Sequence, residues 1–282
     1  MSKANVIPVQ VGENIFRKRK IQKLLSGANH TLVLSDKKVF AWGDPDTCVL
    51  GRMPLKRRQF EQSLMVGGLS YRNVVDVFTG GNHAFLVMEK KVRKTGTTHR
   101  LLYAWGLNNY GQLGIGESEN TYKAKEVVSM RDKGIKNIVG GEYHSIMLLE
   151  NGEVYGCGKN SDFQLGPLNQ EQLKSEGFVV PRDPEDPSKG EKNLESISKP
   201  MKVHLDFKAK EVYSNNNYSF AISEANDLKT WGLGFSYVLG NGKEDEIKEP
   251  WTINKEKFLK SKVGVISLGG NHVMFTSAGS YW

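Results

Sequence analysis

Cysteine is scarce in this sequence and long apolar stretches are missing. Cys48 and Cys157 are the only two cysteines. That is too few for a disulfide framework and is in keeping with a reducing compartment. No apolar run approaches the roughly 18 residues of a membrane span, so no membrane partner is expected. Met1 to Val11 lacks the charged-then-apolar pattern of a leader. Catalytic signatures are missing too. There is no Gly-x-Gly-x-x-Gly ahead of a helix, no phosphate-binding loop and no Gly-x-Ser-x-Gly elbow, which leaves a hydrolase or transferase little support. The histidines are not joined by a cysteine or carboxylate cluster, so no metal and no cofactor is expected.

What is present is a chain of 282 residues with 38% apolar and 25% charged residues, enough to bury a core and unlike a disordered segment. Thirty glycines point to repeated tight turns rather than long helices. The 39 basic residues exceed the 31 acidic ones by 8. That excess favours acidic partners such as nucleic acid, chromatin or an acidic protein face, and it equally suits a basic surface with no specific target.

A repeat organises the chain. A small or glycine-rich turn, then a histidine, then an apolar strand recurs at Gly27-Ala28-Asn29-His30, Gly80-Gly81-Asn82-His83, Gly141-Glu142-Tyr143-His144 and Gly269-Gly270-Asn271-His272, with Asn215-Asn216-Asn217-Tyr218 as a variant. Four of the six histidines fall in this one column. A second mark follows at Trp42-Gly43, Trp105-Gly106, Cys157-Gly158 and Trp231-Gly232. A third follows at Leu50-Gly51, Leu113-Gly114, Leu165-Gly166 and Leu239-Gly240. The step from Trp or Cys to Leu is 8 residues each time, whereas the step from His or Tyr to Trp or Cys is 12, 22, 13 and 13. A basic insertion, Lys90 to Arg100, accounts for the long one.

Between the marks lie short apolar segments such as His30 to Ser35 and His144 to Leu149, which read as strands. A Pro-x-x-aliphatic strand stands upstream in three units, at Pro8 to Val11, Pro200 to Val203 and Pro250 to Ile253; proline there suits an outer edge. Each unit thus offers about four short antiparallel strands, the content of a propeller blade. The tryptophan supplies an apolar wedge between sheets. The glycine after it lets another backbone approach, and Leu-Gly turns the return loop. Cys157 in place of tryptophan predicts a less well filled site.

These marks resemble the repeat of the regulator of chromosome condensation family, above all Trp-Gly-Leu-Asn-Asn-Tyr-Gly-Gln-Leu-Gly at 105–114 preceded by Gly80-Gly81-Asn82-His83. The resemblance runs from about Val6 to the end. It implies an all-β fold, a β-propeller of about five four-stranded blades out of a seven-bladed family ring. The expected blades are 6–52, 62–116, 123–167, 199–242 and 249–282, with 168–198 a long charged loop between blades. The fifth unit ends at Trp282 without its own Trp-Gly strand, and Met1 to Ala4 is too short to supply one. Three arrangements follow: an open ring, blades supplied by further sequence, or an unusual closure. An open ring would expose an edge strand that invites pairing.

The resemblance further implies guanine-nucleotide exchange on the small GTPase Ran, without covalent chemistry on the propeller. One face would stabilise the nucleotide-free GTPase, a coupling that is reciprocal by linkage. The alternative is a non-catalytic protein- or chromatin-binding module of the same superfamily. The expected partner-binding residues are Asn29, His30, Asn82, His83, Tyr143, His144, Asn271 and His272. Asn29 matches a position where the family carries an acid important for exchange, so it keeps the size and loses the charge. The family's wedge hairpin would precede Val6 and has no match here. The histidine column has a structural reading as well, each ring satisfying a buried turn group in its blade. The basic clusters Arg17, Lys18, Arg19, Lys20 and Lys56, Arg57, Arg58 are candidates for nucleosome or DNA contact, or are simply solvated loops. Lys90 to Lys94 and Pro181 to Pro187 read as mobile connections. The localisation implied is nuclear or nucleocytoplasmic.

Overall fold

The computed structural model describes residues 13–52, 64–65, 73–178, 194–253 and 262–278. They form successive antiparallel sheets. The first holds β1 (Ile21–Ser26), β2 (His30–Ser35), β3 (Lys38–Gly43) and β4 (Leu64–Met65), after a short helix α1 (Glu13–Phe16). The second holds β5 (Val74–Thr79), β6 (His83–Lys91), β7 (Thr98–Gly106) and β8 (Thr121–Glu126). The third is β9 (Ile135–Gly140), β10 (His144–Leu149), β11 (Val154–Lys159) and β12 (Ser196–Lys202), and the fourth is β13 (Ala209–Asn215), β14 (Tyr218–Ser223), β15 (Leu228–Gly232) and β16 (Ile247–Thr252). A pair, β17 (Lys262–Leu268) and β18 (Val273–Ala278), makes the fifth. Strands follow one another across each sheet in chain order, and β1, β5, β9, β13 and β17 touch in succession. The sheets are therefore arrayed around their first strands, as blades of a β-propeller.

Packing explains the strand sequences. A sheet between two others is buried on both faces, so its second strand reads as a continuous apolar run rather than an alternating one. Every residue of β10 and of β14 is buried. The core is correspondingly divided into clusters, each between two consecutive sheets. Trp105 of the second sheet lies with Leu32, Leu34 and Leu50 of the first. Trp231 of the fourth lies with Ile146, Leu148 and Leu165 of the third. Both indoles are fully buried, and a buried indole N–H needs an acceptor. Trp105 Nε1 donates to the Val49 carbonyl at 2.7 Å and Trp231 Nε1 to the Gln164 carbonyl at 3.1 Å. Each acceptor is the residue just before Leu-Gly in the preceding sheet. Cys157 occupies the same place with a smaller donor, its Sγ reaching the Gln112 carbonyl at 3.4 Å. It is fully buried, with Gly114 and Pro200 closing in beside it.

The glycine after the tryptophan is required by the backbone. Gly106 has φ +112°, and a Cβ there would lie 2.7 Å from the Asn82 carbonyl oxygen and 2.8 Å from His83 Cα. The carbonyl is that close because it accepts the N–H of Leu107 at 2.9 Å. The same bond recurs from Asp44 to Asn29, from Lys159 to Tyr143 and from Leu233 to Asn217.

Three features differ from the sequence reading. The strands that carry Pro200 and Pro250 are β12 and β16, the outer edges of the third and fourth sheets. They close the preceding sheet rather than opening the next, so the expected blades at 6–52, 62–116, 123–167, 199–242 and 249–282 are offset by one strand from the sheets. A repeat fixes a period, and only hydrogen bonding fixes where one unit ends. Consequently the connection expected between blades at 168–198 joins two strands of one sheet, β11 and β12, and its last residues, Ser196 to Ser198, belong to β12. Its described part includes α2 (Gln170–Ser175), capped by Asn169 Oδ1, which accepts the Gln172 N–H at 2.9 Å. The basic insertion is an ordered hairpin rather than a loose connection: β6 and β7 run on to pair Lys90 with His99 and Lys91 with Thr98. Arg100 anchors it through Glu150 at 2.9 Å and Glu89 at 3.3 Å. Pro8 to Val11 and Pro181 to Pro187 lie outside the described residues.

Replacing Gly106 by alanine should cost at least about 2 kcal/mol, because a strained φ and a backbone collision coincide. Gly96→Ala is the control. Its φ is +74° but nothing lies within 4 Å of the new Cβ, so the cost should stay near 1 kcal/mol. Urea unfolding of the two variants measures the difference; equal losses would mean that the contact with Asn82 is not the constraint.

Candidate functional site

Antiparallel pairing sorts the connections to two ends. The β1–β2 turn and the β3–β4 connection lie at one end, together with their counterparts in the other sheets; the β2–β3 hairpins and the links between sheets lie at the other. The turn end is stitched by backbone bonds between neighbours. Ala28 N–H donates to the Gly81 carbonyl at 2.8 Å, Gly81 to Gly141 at 3.0 Å and Glu142 to Asn216 at 3.0 Å. Asn216 Nδ2 extends the series to the Gly270 carbonyl at 3.0 Å. These turns and the inner strands surround an open cleft of about 760 Å³ lined by Lys23, Asn29, Asn82, Asn137, Glu142 and Asn216 among others.

The histidine column divides. His30, His83 and His144 are buried and join each sheet to the next. His30 Nε2 meets Thr79 Oγ1 at 2.7 Å, and His83 Nε2 meets Ser145 Oγ at 2.8 Å. His144 Nε2 meets Ser214 Oγ at 2.7 Å and Ser219 Oγ at 3.2 Å. The hydroxyls settle the ring state. Ser145 gives its own proton to the Gln112 carbonyl at 2.8 Å, Ser219 to Gln164 at 2.9 Å and Thr79 to His83 at 3.1 Å. Each oxygen therefore accepts from Nε2–H, and the ring is the neutral Nε2–H tautomer. The Nδ1 atoms of all three are buried without a partner among the described residues. A second proton would place a charge there, so burial holds His30 down at about pKa 4 and His83 and His144 at about 3. Neighbouring charge adds to this, from His144 and His30 at His83 and from Lys159 at His144.

Space imposes the glycine of the motif. A Cβ at Gly27 would stand 2.1 Å from the His30 ring, and at Gly80 2.2 Å from His83. Where the ring changes, its neighbour changes with it. Tyr218 stands in the column with Asn215 in place of glycine; the Tyr218 hydroxyl donates to the Gly269 carbonyl and Asn215 Nδ2 to Leu268 at 3.2 Å. Burial pushes the Tyr218 phenol up to about 12.

Of the eight expected partner-binding residues, then, His30, His83 and His144 hold sheets together and present no surface. Asn29, Asn271 and His272 are exposed, and Asn82 and Tyr143 are half-buried at the turn end. The Tyr143 ring lies 5.2 Å from Tyr110. Sequence reasoning did not single out Tyr110, Phe235, Tyr237 or the hydroxyl partners of the histidines. The hydroxyls did carry a signal: each joint has one either just before the turn (Thr79, Ser214) or just after the ring (Ser145, Ser219). In the basic cluster Arg17, Lys18 and Lys20 are exposed. Arg19 pairs with Asp36 at 3.2 Å and lies over Phe40 at 5.5 Å. This cluster and the Lys90 to Lys94 hairpin stand at the end opposite the turns. Lys56, Arg57 and Arg58 lie outside the described residues.

Sheets of this order and phase, joined by a ring donating to a hydroxyl of the next sheet, define a propeller built from one repeat. The model of the RCC1-like domain matches residues 2–275, and the chain belongs to that family. Guanine nucleotide exchange factor SRM1 of Saccharomyces cerevisiae is 28% identical over 264 residues, 90% of this chain and 50% of that protein. The regulator of chromosome condensation of Xenopus laevis is 24% identical over 288 residues, 96% of this chain and 59% of its own. The human E3 ubiquitin-protein ligase HERC2 is 26% identical over 252 residues, covering 88% of this chain and 4% of the ligase. Among solved structures, Prp20p of Saccharomyces cerevisiae, described with its binding properties to Gsp1p and histones, superposes with a TM-score of 0.76 at 26% identity, over 94% of this chain and 57% of that one. The chain spans about half the length of SRM1 and of protein pim1 of Schizosaccharomyces pombe, which it also matches.

The depressed histidines set a pH dependence. Each binds its proton less readily folded than unfolded, so the stability they contribute is complete above about pH 6.5 and falls as the pH drops toward 4. The loss should reach up to about 1.4 kcal/mol per pH unit for each ring. Urea midpoints between pH 7 and 4.5 should show it, and His83→Gln should flatten the slope by one ring's share. An unchanged slope would remove His83 from the titration. Burial also raises the Cys157 thiol pKa. In the native protein a thiol reagent should therefore label the half-buried Cys48 and reach Cys157 only after unfolding.

Proposed function

We propose that the chain serves guanine-nucleotide exchange on a Ran-class small GTPase, docking the nucleotide-free form on its turn end. The observation that carries this reading is the surface left at that end once the histidines are accounted for: Asn29 and Asn271 are exposed and Tyr143 is half-buried on a frame of bonded turns. The family relationship supports it. No covalent step is needed on the propeller. Binding energy directed to the empty GTPase weakens its hold on nucleotide by the same factor. A nuclear or nucleocytoplasmic location goes with this role, and the basic end, with Arg17, Lys18, Lys20 and the Lys90 hairpin, suits phosphate or an acidic histone surface.

A second reading, a propeller that binds without exchanging, is favoured by Asn29. The residue is exposed and uncharged where the resemblance implies an acid.

Release of labelled GDP from Ran separates the two. Acceleration by catalytic amounts of the chain supports exchange, and Asn29→Asp should then raise the rate further. Binding of Ran without acceleration supports the second reading. The double variant Tyr143→Ala, His272→Ala should weaken binding by roughly tenfold or more while leaving the Tm within a few degrees, since His272 is exposed and Tyr143 only half-buried. Unaltered affinity would place the docking surface elsewhere.

A further inference from the structure

The fourth sheet departs from the loop pattern of the second and third. In those two, a buried asparagine and glutamine brace the connection after the third strand. Asn108 Oδ1 accepts the Leu113 N–H at 3.0 Å and Asn160 Oδ1 the Leu165 N–H at 3.1 Å. Gln112 and Gln164 accept from Tyr110 and Asp162 at 3.0 and 2.9 Å. The matching positions in the fourth sheet are Gly234 and Val238, so neither brace exists there, as neither does in the first sheet, where Pro45 and Val49 stand. Here the loop turns through Ser236 and Tyr237, both at positive φ. It holds Phe235 and Tyr237 out with 60% and 59% of their surface exposed.

Both rings stand out at the turn end. Phe235 flanks a recess of about 130 Å³ shared with Asn217, Gly270 and Asn271. Tyr237 stands at the edge of the slot between the fourth and fifth sheets, lined by Val238, Gly240 and Ile253, whose counterparts receive Cys157 and Trp231 in the earlier sheets. Asn217 Oδ1, beside the recess at Phe235, is buried and receives no hydrogen bond among the described residues. The remainder of the same connection carries exposed Glu244, Asp245 and Glu246. Exposed aromatics beside a donor-seeking oxygen and a rim on which three acids outnumber the one base, Lys243, are the makings of a protein-docking hot spot.

We infer that Phe235 and Tyr237 are anchor residues for the GTPase partner, and that the partner meets them with an apolar recess rimmed by lysine or arginine. The inference rests on the docking reading above and adds its position and chemistry. The basic character of the partner follows from the acidic rim. In a chain of net charge +8 this loop presents the opposite sign, while the basic clusters stand at the far end. The rim should therefore act on encounter and the rings on residence.

The test is stopped-flow binding of nucleotide-free Ran to the whole chain at two salt concentrations. Phe235→Ser with Tyr237→Asn, the latter because asparagine tolerates positive φ, should raise the dissociation rate by roughly tenfold or more with little change in association. Glu244→Lys, Asp245→Lys and Glu246→Lys together should slow association by about tenfold at low salt, and the difference should shrink as the screening length falls from about 10 Å at 0.1 M to about 3 Å at 1 M. Lys90→Glu, Lys91→Glu and Lys94→Glu at the opposite end should leave both rates unchanged. All variants lie on exposed residues, and a native circular dichroism spectrum and Tm confirm that they fold. If the wild type binds and the loop variants bind equally well, this inference is overturned while the docking reading stands. An equal effect from the opposite end overturns it as well, since the whole molecule's field would then be responsible. If the wild type does not bind at all, both readings fail together.

Discussion

A sheet buried on both faces has no water to turn to, so every polar group at its joints must find a partner in the neighbouring sheet or go without. That constraint governs this propeller. At the turn end it is met by an imidazole whose Nε2–H is taken by a hydroxyl that has already given its own proton to a carbonyl. Nearer the middle it is met by an indole or thiol donating to the carbonyl before Leu-Gly. The two bonds meet at shared atoms: the Gln112 carbonyl receives both Ser145 and Cys157, and the Gln164 carbonyl both Ser219 and Trp231. Ring and wedge are parts of one network, and the repeat marks recur together because they bond to one another's backbone.

The same constraint separates holding residues from presenting ones. Once a histidine is committed to the next sheet it is buried, neutral and unable to greet a partner. The residue before it stands in the turn itself, exposed at Asn29 and Asn271 and half-buried at Asn82, Tyr143 and Asn217. Function in such a scaffold falls to positions that the joints leave free, and in the fourth sheet the loop after the third strand projects Phe235 and Tyr237. A basic end and a turn end bearing Glu244, Asp245 and Glu246 then offer two different surfaces on one frame.

Much of this was legible in the order of residues. The turn, the ring, the wedge and the Leu-Gly pair lie within short, regular distances, and a local pattern repeated along a chain is evidence of a repeated local structure. The glycines after the wedge could be assigned a close backbone approach before any coordinates, and the collision at Gly106 is of that kind. The surface role of the histidines was not legible, because a ring facing water and a ring facing the next sheet occupy the same place in the sequence.

The sequence by itself determined the all-β fold, the repeat and its family, since these rest on interactions within one unit. Tertiary structure alone decided where each sheet ends, which histidines are buried and which end of the molecule each charge occupies. Pro200 and Pro250 belong to the sheet before them because β12 and β16 pair with β11 and β15. His83 is sealed because Ser145, 62 residues away, belongs to the next sheet. Those outcomes depend on contacts between units, and no single unit contains the information that sets them.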